Sequence, residues 1–300
     1  MRTLTIRHNT VYRYKRPVTF GEHRLMLRPR DSHDLRLISA DLILSPRASV
    51  RWIHDVFGNS VAVVIFAEPA AELKVESKLV IERYALDAPR FELDDNAHNY
   101  PFIYSADDRT DLGRTLERHY PDPKGQLEAW AQGFIASRPT DTLALLADIN
   151  ATIKDAFTYN TRWEEGTQTP LETLELGSGT CRDFALLFIE ALRSLGFAAR
   201  FVTGYLYDPA LDGAADSEIK GAGATHAWAE VYLPGAGWIE YDPTNGIIAG
   251  ENLIRIAVTR DPHQAVPVGG SFDGTPEDGD GMTVEVEVTS AGRSARRAAA

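Results

Sequence analysis

Gly177-Ser178-Gly179-Thr180-Cys181-Arg182-Asp183-Phe184-Ala185-Leu186-Leu187-Phe188-Ile189-Glu190-Ala191-Leu192 is the stretch around which the rest of the chain can be organised. Thr180 is a good N-cap, and Asp183 three residues on completes a capping-box-like Thr-x-x-Asp. The spacing predicts a helix over Cys181–Leu195, closed by Gly196 as a C-terminal cap. Cys181, the only cysteine of the chain, then occupies the first helical position. Unpaired N–H groups and the helix dipole favour an anion there. A thiol in that setting can fall from about 8.5 to roughly 3.5–7.5 in pKa. Its backbone N–H is also one donor for an oxyanion. Gly177 and Gly179 open the backbone to the close approach of a carbonyl group. A lone cysteine more often packs as a small buried hydrophobe, so its partners decide the reading.

Two downstream segments supply partners. Thr225-His226-Ala-Trp228-Ala-Glu230-Val-Tyr232-Leu233 and Gly237-Trp238-Ile-Glu240-Tyr-Asp242 read as adjacent strands. On the first, His226, Trp228, Glu230 and Tyr232 share a face; on the second, Trp238, Glu240 and Asp242 do. The turn between them decides whether those faces coincide. A three-residue loop (234–236) pairs Leu233 with Gly237 and puts Asp242 diagonal to His226, about 7–8 Å away and within side-chain reach. A four-residue loop sends them to opposite faces. Taken singly, His226 reads as a structural histidine and Asp242-Pro243 as a turn. With Cys181 they form a nucleophile, a base and an orienting acid, the parts of a thiol acyl-transfer site.

The remaining sequence sets bounds. Three hundred residues, 44% hydrophobic and 25% charged, suit a globular protein of roughly two domains. The formal charge of −12 disfavours nucleic acid or an anionic membrane as the main partner. One cysteine permits neither an intramolecular disulfide nor a multi-thiolate zinc site. The opening Met-Arg-Thr-Leu-Thr-Ile-Arg-His lacks the apolar stretch of a secretory signal. No charge-free apolar run of about 18 residues occurs. A cytoplasmic protein that binds no membrane is the expectation; oligomeric state is left open.

Residues 1–88 read as β structure, with segments Arg2–His8, Leu35–Ser45, Val50–Val56, Ser60–Ala67 and Glu72–Tyr84 separated by turns such as Phe57-Gly58-Asn59. Short strands at this spacing suggest a sandwich. A linker over 89–118 follows, then a unit over 119–290. Helices are expected over Lys124–Ser137 and over Thr142–Phe157, where Leu143, Leu146, Ile149, Ile153 and Phe157 recur at helical spacing. Strands are expected over Ala199–Tyr207, Thr225–Leu233, Gly237–Asp242 and Thr283–Val288. Residues 208–224 and 269–281 read as mobile loops, and 291–300 as a disordered tail.

Lesser features carry paired readings. Arg182 reads as a solvated surface residue more than a substrate contact. Trp163, Trp228 and Trp238 either wall an acyl-acceptor groove or pack in the core. Trp163, Gly179 and Trp228 stand as substrate-binding candidates. The Asp273–Gly281 loop lacks the Asp-x-Asp-x-Asp-Gly…Glu arrangement of a calcium loop, and no metal or cofactor is expected. Zinc-protease, phosphate-loop and dinucleotide signatures do not occur.

At Phe157-Thr-Tyr-Asn, the Gly177–Ala185 segment, Leu195-Gly-Phe-Ala-Ala-Arg-Phe-Val-Thr-Gly-Tyr-Leu, Thr225-His-Ala-Trp-Ala-Glu-Val-Tyr and Trp238-Ile-Glu-Tyr-Asp-Pro-Thr-Asn, the chain resembles the bacterial transglutaminase-like superfamily, whose members include proteins taken to be cysteine proteases. Arg13-Tyr14, Arg24-Leu-Met-Leu-Arg-Pro and Trp52-Ile-His-Asp-Val-Phe-Gly-Asn resemble the β-sandwich domain that precedes that core in bacteria. The resemblance implies an α+β chain: an N-terminal β-sandwich, then a papain-like core with the Cys helix packed on an antiparallel sheet carrying His and Asp. It implies Cys181 as nucleophile, His226 as base and Asp242 as orienting acid. It spans peptidases, amidases, deamidases and glutamine–amine cross-linkers acting on protein or peptide substrates, and also silent binding modules. Glu175, six residues before Cys181, is not the Gln of papain-type enzymes, which leaves the second oxyanion donor open.

Overall fold

In β1 (Arg2–Phe20) the alternate residues Leu4, Ile6, His8 and Thr10 are buried while the residues between them face outward, the two-residue period of a strand with one wet face. The computed structural model describes residues 2–84, 91–160, 166–208, 224–250 and 252–290. Six strands follow the N-terminus: β1, β2 (His23–Arg28), β3 (Leu35–Ser45), β4 (Ala48–His54), β5 (Ser60–Phe66) and β6 (Ala70–Arg83). They divide into two sheets. One runs β1-β6-β3, the other β2-β5-β4. Val18, Phe20, Leu25, Leu27, Ala62, Val64, Phe66, Leu73 and Val75 fill the space between them, as the inward faces of a sandwich do.

After the sandwich come β7 (Asn99–Tyr100), α1 (Ala106–Leu112), α2 (Gln126–Gln132), β8 (Thr140–Asp141), α3 (Thr142–Ala156), β9 (Thr158–Tyr159), α4 (Pro170–Leu176), β10 (Ser178–Gly179) and α5 (Cys181–Ser194). Then follow β11 (Ala199–Leu206), β12 (Thr225–Leu233), β13 (Gly237–Asp242), β14 (Ile247–Ile248) and β15 (Leu253–Thr259), which form an antiparallel sheet in the order β14-β13-β12-β11-β15. α5 is buried along nearly its whole length. Phe184, Phe188 and Leu192 share a core with Leu146, Ile149 and Ile153 of α3 and with Phe201, Ala229, Val231 and Tyr241 of the sheet. Truncating such a phenylalanine to alanine costs about 3–5 kcal/mol, so the helix that carries Cys181 is firmly held.

Four segments differ from the sequence reading. The unit assigned to 119–290 gives up its end: β16 (Val268–Gly269) pairs with β2, β17 (Phe272–Asp273) with β1, and β18 (Gly279–Ser290) with β1 from Tyr14 to Leu4. The last segment therefore completes the sandwich. Val286 packs with Leu4 and Ile6, a pairing between opposite ends of the chain that local pattern cannot reveal. The loop read over 269–281 is likewise committed to the sandwich, since Arg16 donates to both carboxylate oxygens of Asp278 at 2.8 and 2.9 Å. The segment read as a linker over 89–118 is structured: β7 pairs with β8, Tyr100 stacks on Phe197, and Tyr104 and Leu112 pack on Ala198. The helix read over Lys124–Ser137 is shorter, Gln126–Gln132, with Asp122 accepting from the N–H groups of Gln126 and Glu128 at its start. Most of the loop read over 208–224 and the tail over 291–300 lie outside the described residues.

The sandwich and the core sheet share an interface. Leu4, Ile6, Leu35, Leu79 and Ile81 pack on Tyr205, Tyr207, Ile254 and Ile256, and buried His8 bonds the Tyr205 hydroxyl at 2.8 Å. No helix among the described residues is long and apolar enough to cross a membrane.

Candidate active site

The turn between β12 and β13 has three residues. Leu233 pairs with Gly237, and the ladder continues to Ala229 opposite Tyr241. One more step sets Trp228 opposite Asp242, with His226 on the diagonal. His226 Nε2 lies 2.8 Å from Asp242 Oδ2, and both side chains are fully buried. Being the second residue of one strand and the last of its antiparallel neighbour, they sit at the same end of the sheet.

Asp242 is surrounded by donors. Asn245 Nδ2 reaches Oδ2 at 2.9 Å, and the Thr244 N–H reaches Oδ1 at 2.9 Å. Burial pushes the carboxyl up, but the His226 charge and these hydrogen bonds hold it below the usual carboxylate range. For His226 burial favours the neutral ring, yet the Asp242 charge and hydrogen bond, joined by Cys181, raise it to about 10. The ring is an imidazolium at neutral pH. With Nε2 committed to Asp242, the influence of the Cys181 sulfur falls on Nδ1, which closes no hydrogen bond in this geometry. The sulfur thus neighbours Nδ1 without closing a bond to it. Apo thiol sites often have such loose contacts.

Cys181 is the first residue of α5, as expected, and is 8% exposed. Asp183 is fully buried and organises the helix start. Its Oδ2 accepts from the Thr180 N–H and hydroxyl at 2.8 and 2.9 Å, and its Oδ1 accepts from the Gln168 N–H at 2.7 Å. Arg182 is not the solvated residue expected: its guanidinium donates to the Pro262 carbonyl at 2.6 Å and covers the Phe201 ring.

The substrate-binding candidates fare differently. Trp163 lies outside the described residues. Gly179 is buried, and a Cβ there would stand 2.8 Å from the Asp183 Cβ. Its missing side chain makes room for the Asp183 cap. Trp228 is fully buried, faces the sandwich and packs with Val202, Leu206, Leu253, Val258 and Phe57, so it lines no open groove. Trp238 instead carries Arg200 over its ring at 4.0 Å.

Two residues at the site were given no role from sequence. Tyr159 pairs with Gly179 across a short parallel bridge between β9 and β10. Burial, reinforced by the neighbouring Cys181, Asp242 and Asp183, pushes its hydroxyl up to about 12, so a protonated phenol stands by the cysteine and the carboxylate. Its signal was present in Phe157-Thr-Tyr-Asn, though periodicity marks it only as a short apolar segment. Asn245 was signalled by Asp242-Pro-Thr-Asn, a turn whose N–H groups return to the aspartate. Among the described residues no group of three or more His, Cys, Asp or Glu side chains is arranged to hold a metal.

A thiol at a helix start beside a buried imidazolium–carboxylate pair can be compared with known proteins. Residues 128–243 match the transglutaminase-like superfamily, and residues 4–82 match the bacterial transglutaminase-like N-terminal region. The chain thus carries a transglutaminase-like core preceded by a bacterial transglutaminase-like N-terminal region. It is 28% identical over 273 residues to an uncharacterized protein of Mycobacterium tuberculosis, covering 88% of this chain and 86% of that one. It is also 28% identical over 284 residues to an uncharacterized protein of Mycobacterium leprae, covering 94% and 96%. A crystal structure from Cytophaga hutchinsonii, described as that of a "Putative Cysteine Protease", superposes with a TM-score of 0.70 at 18% identity, over 96% of this chain and 90% of that one. That likeness bears on the fold: a mixed α and β transglutaminase-like chain.

Proposed function

We propose that this transglutaminase-like protein is a cysteine-dependent acyl-transfer enzyme acting on amide bonds of protein or peptide substrates. The observation that carries the reading is the buried His226–Asp242 pair at 2.8 Å beside the cysteine that opens α5. The Cys181 thiolate attacks the amide carbonyl carbon. The oxyanion is met by the Cys181 N–H and the Tyr159 hydroxyl, which stays protonated. The C–N bond breaks, and His226 gives its Nδ1 proton to the departing amine. Neutral His226 then takes a proton from water or from a second amine as that molecule attacks the thioester, and the thiolate leaves. Asp242 holds the ring and its positive charge throughout.

Hydrolysis is the first outcome, because water is always at hand, whereas transamidation needs a pocket that favours an amine. The test compares wild type with Cys181→Ala on a peptide library by mass spectrometry. Cleavage, a one-dalton deamidation shift or amine incorporation, each absent from the variant, identifies the reaction. Identical product profiles from the two proteins would mean a silent binding module instead.

A further inference from the structure

The sandwich turn Asp55-Val56-Phe57-Gly58-Asn59 docks behind the histidine strand. Asp55 shapes it: Oδ1 accepts from the N–H groups of Phe57 and Asn59 at 2.9 and 2.8 Å, and Oδ2 accepts from Asn59 Nδ2 at 2.8 Å. Gly58 takes a φ of +77°, a conformation that favours glycine. So shaped, Asn59 makes a two-point clamp on the core sheet. Its Nδ2 donates to the Val258 carbonyl at 2.6 Å, and its Oδ1 accepts from the Val258 N–H at 2.9 Å. Asn59 is 4% exposed, and an amide that satisfies both groups of one buried residue is specific to that site.

Phe57 enters the same seam. It packs on the cluster of Val202, Leu206, Trp228, Leu253 and Val258. Trp228 is the largest side chain of that cluster and is itself oriented: its indole N–H donates to Glu240 Oε1 at 3.2 Å. Its other neighbour is His226, with ring centroids 6.0 Å apart and planes 29° apart. The row Asn59/Phe57–Trp228–His226 thus runs from the sandwich to the imidazole. Asp242 restrains Nε2; a stacked ring restrains the plane.

We infer that the Asp55–Asn59 turn of the sandwich is a positioning element of the candidate active site, seating Trp228 so that its indole fixes the His226 ring for Cys181. The inference rests on the catalytic reading of Cys181, His226 and Asp242. It gives the sandwich a part in catalysis with no contact to substrate. Misplacing a catalytic group by about an ångström can cost on the order of a hundredfold in rate, so a modest tilt of the ring suffices.

The test uses the full chain and measures Cys181 alkylation by iodoacetamide from about pH 5 to about pH 10 in wild type, His226→Ala, Phe57→Ala, Asn59→Ala and Trp228→Phe. Thermal unfolding is recorded for each. Phe57→Ala and Asn59→Ala are expected to lower alkylation near pH 6 by roughly tenfold, where the thiolate depends on a well-placed imidazolium, and to match wild type within about twofold near pH 9.5, where the thiol ionises unaided. Trp228→Phe keeps a stacked ring without the bond to Glu240, and is expected to shift the profile in the same direction by less. It decides the matter if either alanine variant does not fold. Variants that melt earlier yet keep the wild-type pH profile would make the turn merely structural and overturn the inference. A His226→Ala profile that coincides with wild type would instead remove the catalytic reading, and the inference with it.

Discussion

Asp242 meets His226 with a carboxylate that has no oxygen to spare. Oδ2 is shared between His226 Nε2 at 2.8 Å and Asn245 Nδ2 at 2.9 Å, while Oδ1 takes the Thr244 N–H at 2.9 Å and the Asn245 N–H at 3.4 Å. Every partner is a donor. Papain-like sites work with an asparagine in the equivalent role, but here an amide would present its NH₂ to one set of donors whichever way it turned.

Asp242→Asn is therefore expected to fail as a replacement. The backbone donors hold the amide oxygen, its NH₂ faces His226, and the ring must turn its lone pair to Nε2. His226 then loses the charge that holds its pKa near 10 and is neutral at pH 7. Catalytic efficiency should fall by about 10⁴-fold, the scale seen when a triad histidine is left in the wrong tautomer. Amide hydrolysis kinetics and the pH profile of Cys181 alkylation check it together. An unchanged profile would show that the Asp242 charge does not govern the ring.

What was legible in the sequence was local. The odd loop 234–236 set the register of β12 and β13, and so the diagonal of His226 and Asp242. Thr180 and Asp183 marked the start of α5. One legible signal passed unread: Thr169-Pro170-Leu171-Glu172 is a capping box with proline in the first turn, and it opens α4. What could not be read was set by distance along the chain. β18 is a recognisable strand, but its partner β1 lies more than 260 residues away. Trp228 could be read as a groove wall or as core, because alternation reports a face and not what covers it. The cover is Phe57, supplied by the other unit of the fold.

His8 predicts an acid-sensitive junction between sandwich and core. It is 1% exposed and bonded to the hydroxyls of Tyr205 and Thr10 at 2.8 and 2.9 Å; burial lowers it from 6.5 to about 4. A depressed group stabilises the fold fully above its unfolded pKa, and that contribution is lost as pH falls through 6.5 towards 4. The change is about 3 kcal/mol. His8→Gln, which keeps a polar partner and cannot titrate in this range, should flatten the dependence of Tm on pH between 4 and 6.5 by roughly 5 °C relative to wild type. Parallel curves for the two proteins would show that His8 protonates without loosening the junction.

Glu240 works in the opposite sense. Burial and the facing charge of Glu230 raise it to about 7 against the pull of Arg255, which lies 4.0 Å from it, while Glu230 is held by Arg200 and Arg255 at 2.5 and 2.7 Å. A raised carboxyl favours the fold below its unfolded pKa near 4.5, and that stability drains away as pH rises through 7. Glu240→Gln keeps an oxygen for the Trp228 indole and removes the repulsion. Its melting curve should lose less between pH 5 and 8 than wild type does, with alkylation of Cys181 near pH 6 preserved. Glu240→Leu, which also removes the acceptor, should lower that alkylation, by less than Phe57→Ala does. If the two variants behave alike at pH 6, the indole bond does not matter.

Gly204 tests the seat of Trp228 from its far side. It pairs with His226 across β11 and β12, and the ladder to β15 shifts register between Thr203 and Gly204. A Cβ at Gly204 would run into the Ile254 carbonyl oxygen and stand 2.7 Å from Trp228 Cη2. The shorter approach is to the backbone of β15, so that strand has to shift, and the indole has to move as well. Gly204→Ala should then destabilise the fold by about 1–3 kcal/mol, the usual cost of overpacking a closed core. Beyond that cost, it should tilt Trp228 against His226 and depress alkylation of Cys181 near pH 6 while leaving the alkaline limb intact. A lower Tm with an unaltered pH profile would mean that the movement of β15 alone makes room, and that the indole keeps its place against the imidazole.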